Sequence, residues 1–170
     1  MLLPPGSVGS GEVRGGAPAS RELALLDPTR TVGSIDAIVF AGGSAFGLAA
    51  ADGVVAALAR EGRGVPTSAG PVPIVPAACI FDRVDPDAPV PTAADAVVAL
   101  DAARAGSTPD TGRVGAGVGA TVGKWRGREH AVPGGVGVAS ATVDGATLAA
   151  IAVVNAVGDV IGADGRVLAG

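Results

Sequence analysis

The stretch "IDAIVFAGGSAFGLAAADG", residues 35–53, decides the fold because a strand pattern in it passes directly into a helix pattern. Its segment "DAIVFA" is a short apolar run bounded by turn signals, which is typical of a buried strand. The glycines then lead into "SAFGLAAADGVVAALAREG", which predicts a helix with Ser44 as its N-cap and Gly62 as its stop. A buried strand followed at once by a small-residue helix indicates closely packed layers of helix and sheet.

The segments on either side continue this alternation of strand and helix patterns. "ASRELALLDP" predicts a short helix capped by Ser20 and stopped at Asp27-Pro28. "ACIFD" predicts a second buried strand, and Thr92 is placed to cap a helix over "AADAVVALDAARAG".

The last third of the chain changes to glycine-rich and strand-like sequence. We expect two or three strands there in an antiparallel meander, with Asp144-Gly145 and Asp164-Gly165 as hairpin turns. The whole pattern predicts an α+β or layered α/β fold, in a single domain over residues 1–170.

Composition excludes several classes of function. The net charge is −4, the 12 Lys and Arg residues form no block and aromatic residues are only 2%, so no nucleic-acid partner is expected. One cysteine, Cys79, and one histidine, His130, leave no disulfide and little scope for a metal site, and we predict neither metal nor cofactor. Without a signal-peptide pattern or an apolar run of about 20 residues, we expect a soluble cytoplasmic protein with no membrane partner.

The turn at Gly42-Gly43-Ser44 admits several interpretations. Its context suits a nucleophile elbow, but Phe46 stands where the last glycine of G-x-S-x-G belongs, and His130 is the only imidazole available as a base. Phosphate-binding motifs are incomplete here as well. The turn could instead be architecture, or its free amides could face a substrate carboxylate or oxyanion.

Two polar residues stand out in the last third. Lys124 follows closely spaced glycines in "GAGVGATVGKW", so it is either a solvated charge or a placed ammonium. Asn155 interrupts the apolar run "LAAIAVVNAVGDVI", which predicts a strand, and a buried amide there must find partners. It is either a structural residue at a bulge or a donor aimed at an oxyanion.

Six stretches taken together resemble the L-aminopeptidase/D-esterase family, also called P1 or peptidase family S58, which includes β-peptidyl aminopeptidases and nylon-oligomer hydrolases. The resemblance covers nearly the whole chain. In chain order the stretches are "RGGAPASRELALLDP", "IDAIVFAGGSAFGLAAADGV", "VPIVPAACIFD", "GAGVGATVGKW", "GGVGVAS" and "VVNAVGDVI".

This resemblance implies a self-cleaving hydrolase of the N-terminal-nucleophile type with a layered αββα sandwich. In such enzymes a Ser or Thr becomes a new N-terminus, and its own α-amine serves as the base. Lys124 falls at the family's lysine near the nucleophile, and Asn155 at the asparagine that holds the nucleophile or the oxyanion. Gly42-Gly43-Ser44 would wall the pocket, so Ser44 would not be the attacking residue. Phe81 stands where the nylon-hydrolase branch has a tyrosine.

The resemblance also implies a partner chain. By this resemblance we expect the family's cleavage point to lie beyond Gly170, and the family's usual first strand to be missing from residues 1–170. We therefore expect the large-chain portion of an amidohydrolase, inactive without a C-terminal small chain that carries the nucleophile, in a homo-oligomer of processed heterodimers acting on small peptides or amides. The alternatives are an inactive binding or assembly module, and an acetyltransferase of the ornithine acetyltransferase type.

Overall fold

The structure is a computed structural model that describes residues 1–84, 86–106 and 109–170. Contacts divide these described residues into two compact units, one drawn from Met1–Cys79 and Pro89–Ser107 and the other from Ile80–Ala88 and Thr108–Gly170. The single domain over residues 1–170 stays a prediction.

The first unit contains a three-stranded sheet in the order β1-β3-β2. Its strands are β1 (Ala19–Arg21), β2 (Val39–Ala41) and β3 (Ala77–Cys79). Strand β3 runs parallel to β2 and antiparallel to β1. The strands predicted from "DAIVFA" and "ACIFD" are thus confirmed, although both are shorter than the apolar runs that signalled them.

Two helices pack with this sheet. They are α1 (Ala50–Arg60) and α2 (Ala93–Arg104), and the core that they share includes Leu58 and Leu100. Gly53 lets them approach closely, since a Cβ at this position would clash with the carbonyl oxygen of Ala93. The helix predicted after Thr92 is confirmed, with Thr92 as its N-cap.

The other two predicted helix caps are wrong. Ser20 lies in β1, and the helix that follows is a single 3₁₀ turn, Leu23–Leu26, preceded by Glu22. Ser44 is the first residue of a 3₁₀ helix, Ser44–Ala49, and its side chain makes no capping hydrogen bond. A capping residue needs extended backbone, whereas Gly43 and Ser44 both have left-handed φ angles, 80° and 58°.

The second unit consists of three antiparallel strand pairs, and within the described residues they are separate two-stranded sheets. Asp144 and Gly145 have φ angles of 49° and 81°, as a two-residue hairpin turn between twisted strands requires. The two predicted Asp-Gly hairpins are confirmed, but the strands do not form one continuous meander. The pairs are β4 (Thr121–Val122) with β5 (Val132–Pro133), β6 (Val136–Val143) with β7 (Ala146–Val153), and β8 (Val160–Ile161) with β9 (Val167–Ala169).

The mixture of helices and small sheets confirms the predicted α and β composition in this coarse form. The αββα sandwich stays a prediction. Among the residues that the structure describes, every helix is too short or too polar to cross a bilayer.

Candidate functional site

A cavity of about 340 Å³ lies within the second unit. Three stretches of chain line it: Phe81–Val84, several residues between Thr121 and Ala131, and Asn155–Val157. Three of the residues singled out by sequence, Phe81, Lys124 and Asn155, are therefore at one cavity. Its size is in the range of pockets that hold small organic molecules.

Backbone hydrogen bonds fix the position of Lys124. Its N–H donates to the carbonyl of Val157 at 2.8 Å, and the N–H of Gly123 donates to the carbonyl of Gly158 at 2.8 Å. Gly123 has a φ angle of 73°, a left-handed conformation that glycine adopts without strain. The glycine before Lys124 thus turns the chain so that the half-buried lysine meets the cavity.

Asn155 ties two of the lining stretches together. Its Oδ1 atom accepts a hydrogen bond from the backbone N–H of Phe81 at 2.9 Å. An amide has one carbonyl and one NH₂ group, so with Oδ1 assigned to this contact the NH₂ group remains available as a donor.

The predicted strand setting of Asn155 is wrong. Strand β7 ends at Val153, and Asn155 lies beyond it as an exposed residue. After Val153 the chain no longer pairs with β6, and the carbonyls of Val157 and Gly158 accept hydrogen bonds from the backbone of Lys124 and Gly123. The apolar run in the sequence is therefore longer than the strand. The amide has a partner as expected, the Phe81 backbone, but Asn155 is exposed and not buried.

Positive side chains outnumber negative ones among the described residues that line the cavity. The cations are Lys124, Arg83 and Arg128, and the carboxylate is Asp82. Arg83 donates to the carbonyl of Pro86 at 2.7 Å. Neither Lys124 nor Arg128 forms an ion pair or a side-chain hydrogen bond with any residue in the described parts of the chain.

The turn Gly42-Gly43-Ser44 lies in the first unit, between β2 and the 3₁₀ helix. Gly43 packs against Val90 and Pro91, and the Ser44 hydroxyl has no hydrogen-bond partner within the described ranges. His130 lies in the second unit, and its ring is 3.8 Å from the Glu129 carboxylate. A wall made by Gly42, Gly43 and Ser44 stays a prediction.

Sequence reasoning missed Arg128 and Thr121, which also line the cavity. Arg128 opens a short 3₁₀ turn, Arg128–His130, that brings it to the same cavity as Lys124. The sequence around Arg128 does not distinguish it from Arg126, which does not line the cavity. The spacing of four from Lys124 is a weak signal in a segment with so many glycines. Only the three-dimensional arrangement identifies it.

Within residues 1–84, 86–106 and 109–170, no three His, Cys, Asp or Glu side chains lie close enough together to hold a metal ion. The polar groups at the cavity are mainly hydrogen-bond donors and cations. Chemically, such a site suits a group that carries or develops negative charge.

Comparison with known proteins identifies the family. The model of peptidase family S58 matches residues 2–169. The chain is 48% identical over 169 residues to an uncharacterized aminopeptidase of Mycobacterium leprae, and 47% identical over 168 residues to uncharacterized aminopeptidases of Mycobacterium bovis and Mycobacterium tuberculosis. Each of these alignments covers 95% of this chain and 45% of the relative, so the chain spans about half the length of the curated relatives it matches. With a family match along nearly its whole length, the chain belongs to peptidase family S58.

Proposed function

We propose that this chain forms the large part of an aminopeptidase of the self-cleaving N-terminal-nucleophile type, which hydrolyses peptide or amide bonds near a substrate amino terminus. The observation that carries the proposal is the presence of Lys124 and Asn155 at one cavity, in a chain of a peptidase family. The names of the relatives, which are all called aminopeptidases, support the same reaction class.

In this proposal Asn155 stabilises the oxyanion. The reaction passes through a tetrahedral intermediate in which the carbonyl oxygen gains negative charge. The Asn155 NH₂ group can donate to that oxygen because Oδ1 is occupied by the Phe81 N–H. A donor held in place beforehand needs no reorganisation when the charge develops.

Lys124 acts on the nucleophile in the same scheme. A positive charge close to an amine or hydroxyl favours loss of its proton. The α-amine of the attacking Ser or Thr takes the hydroxyl proton, the hydroxyl oxygen attacks the amide carbon, and the C–N bond breaks as the proton passes to the leaving amine. Water then hydrolyses the ester that joins the acyl group to the enzyme.

The nucleophile belongs, on this proposal, to polypeptide outside residues 1–170. No residue of the β6–β7 hairpin is buried. This exposure is evidence for the proposal that a further segment of polypeptide packs against this unit. One face of the hairpin is apolar throughout and includes the pair Ala141 and Leu148, whereas the other is apolar only at the end where Val138 opposes Ile151. A sheet with one solvated face normally alternates apolar with polar residues. We further propose that the processed heterodimers associate into a homo-oligomer.

Activity assays on two proteins test the proposal. We expect the 170-residue chain to release no p-nitroaniline from an aminoacyl p-nitroanilide, and the longer protein that includes the following small chain to do so. Intact-mass spectrometry of the longer protein, quenched during turnover, should show the acyl group on its small chain.

Two outcomes would contradict the proposal. If the 170-residue chain turned over substrate as fast as the longer protein, the nucleophile would lie within residues 1–170. Ser44 and Thr121 would then be the first hydroxyls to examine. Transfer of an acetyl group from an acetylated amino acid to a second amine, without net hydrolysis, would instead favour an acetyltransferase.

A further inference from the structure

Arg128 is a cation at the cavity that the proposed mechanism leaves without a task. Its guanidinium has no carboxylate partner among the described residues. Lys124, the other unpaired cation at the cavity, is assigned to the nucleophile, and Arg83 is engaged with the Pro86 carbonyl. The site therefore retains a positive charge that neither the fold nor the proposed chemistry explains.

The nearby carboxylates do not neutralise Arg128. Glu129 follows it directly, but its carboxylate lies against Gly127 and is 3.8 Å from the His130 ring. Asp82, the carboxylate among the described lining residues, lies against Gly119, where a Cβ would collide with its side chain.

From these contacts we infer that the cavity binds a carboxylate group of the substrate through the Arg128 guanidinium, so that the enzyme prefers short peptides or amides with a free carboxylate over their neutral counterparts. The preference in catalysis rests on the proposed function, whereas carboxylate binding itself does not. A guanidinium presents a planar fork of donors that matches a carboxylate. Arg128 is exposed, so its guanidinium is accessible to a carboxylate that enters the cavity from solvent.

The carboxylate has two chemical sources, the C-terminus of a short peptide or an acidic side chain. Three substrates with the same N-terminal residue separate them: a dipeptide ending in glycine, the same dipeptide as its C-terminal amide, and a dipeptide amide ending in glutamate. The neutral amide is the reference. Whichever acidic substrate is preferred over it identifies the carboxylate that Arg128 binds.

The variants Arg128→Gln, Arg128→Lys and Arg126→Gln test the inference in the longer, processed protein. For wild type we expect the preferred acidic substrate to exceed the neutral amide in kcat/KM by about tenfold or more, the effect of a charge-assisted hydrogen bond. Arg128→Gln should remove most of this ratio, and Arg128→Lys should restore part of it. Arg126→Gln, a matched loss of charge outside the lining residues, should keep the wild-type ratio.

Binding of a simple probe separates this inference from the proposed function. We expect glutarate, titrated into the same protein and followed by NMR, to bind wild type about tenfold or more tightly than Arg128→Gln, and less tightly as KCl is raised. If glutarate binds in this way but no substrate is hydrolysed, the proposed function fails and the inference stands. If hydrolysis proceeds with the same acidic-to-neutral ratio in wild type and Arg128→Gln, the inference is overturned and the proposed function stands. Absence of both the ratio and glutarate binding overturns the inference too.

Discussion

The Asn155 amide has two ends with separable tasks. Its oxygen accepts the Phe81 N–H, which holds two lining stretches together, and its NH₂ group faces no partner in the described structure. In the proposed mechanism, the spare donor is the part of Asn155 that would stabilise the oxyanion.

Replacing Asn155 should separate these two tasks. Asn155→Ala should lower kcat by about 10²-fold or more, as expected for a lost oxyanion donor. Asn155→Asp keeps an acceptor for the Phe81 N–H but replaces the donor with negative charge, so kcat should fall at least as far. Steady-state kcat in the longer protein measures the effect, and thermal unfolding measures the fold.

Val154→Ala is a suitable control, since Val154 is exposed and not among the lining residues. Its kcat should match that of wild type. An Asn155→Asp enzyme with wild-type kcat would assign Asn155 a structural task only.

The N-terminus of α2 shows how a local signal can fix an element. Thr92 and Asp95 form a capping box: the Asp95 carboxylate accepts from the Thr92 N–H at 2.8 Å and from the Thr92 hydroxyl at 2.7 Å. The Thr92 hydroxyl in turn accepts from the Asp95 N–H at 3.4 Å. The hydrogen bond from the Thr92 hydroxyl is the main cause that holds the pKa of Asp95 below its ordinary value, and the hydrogen bond from the Thr92 N–H adds to this effect.

Removing this cap should destabilise the protein in a pH-dependent way. At pH 7, Thr92→Ala should lower the free energy of unfolding by about 1 kcal/mol. Because the folded pKa of Asp95 is lowered, its contribution is complete above the pKa of an unfolded Asp, about 3.9, and is lost as pH falls through the folded pKa.

Urea unfolding of wild type, Thr92→Ala and Asp95→Asn across this pH range measures the effect. The stability gap between wild type and Asp95→Asn should be largest near neutral pH and should shrink below about pH 4. A gap that stays constant down to pH 2 would contradict the role assigned to the Asp95 charge.

Elements whose signals are local could be predicted from sequence, and those that depend on tertiary contacts could not. The Thr92 cap and the two Asp-Gly turns are decided within four residues of chain, and all three are confirmed. Ser44 has the right residue type for a cap, but the left-handed turn that carries the chain from β2 to the 3₁₀ helix overrides it. That turn packs tightly, since a Cβ at Gly47 would clash with the Gly42 carbonyl.

The residues that line the cavity also fall into two groups, those that the sequence indicated and those that only the structure identified. Lys124 and Asn155 could be selected from the sequence because each differs from its neighbours: Lys124 is a cation that follows closely spaced glycines, and Asn155 is an amide in an apolar run. Arg128 offered no such contrast beside Arg126, and its presence at the cavity depends on the fold of the 3₁₀ turn. The sequence thus indicated the residues that break a local pattern. The structure was needed to identify Arg128, which breaks none.

At the scale of the whole molecule, the two units differ in how much apolar surface they bury. The first has two clusters of buried apolar side chains, of which one includes residues of α1 and β3 and the other consists of Leu26, Ile35 and Ile74. In the second, the longest hairpin exposes large apolar residues: Val143 is 52% exposed and Leu148 is 57% exposed. A two-stranded hairpin is only marginally stable in water without further packing.

Hydrogen exchange should reveal this difference. In the 170-residue chain, backbone amides of β6 and β7 should exchange at least about tenfold faster than those of α1, because little packing opposes local opening of the hairpin. In the longer protein that includes the small chain, the hairpin amides should be protected while those of α1 change little, since the proposed partner covers the exposed faces. Mass-spectrometric exchange with peptides spanning 136–153 and 50–60 measures both. Hairpin amides as slow as those of α1 in the 170-residue chain would contradict the argument, because the two strands would then need no further cover.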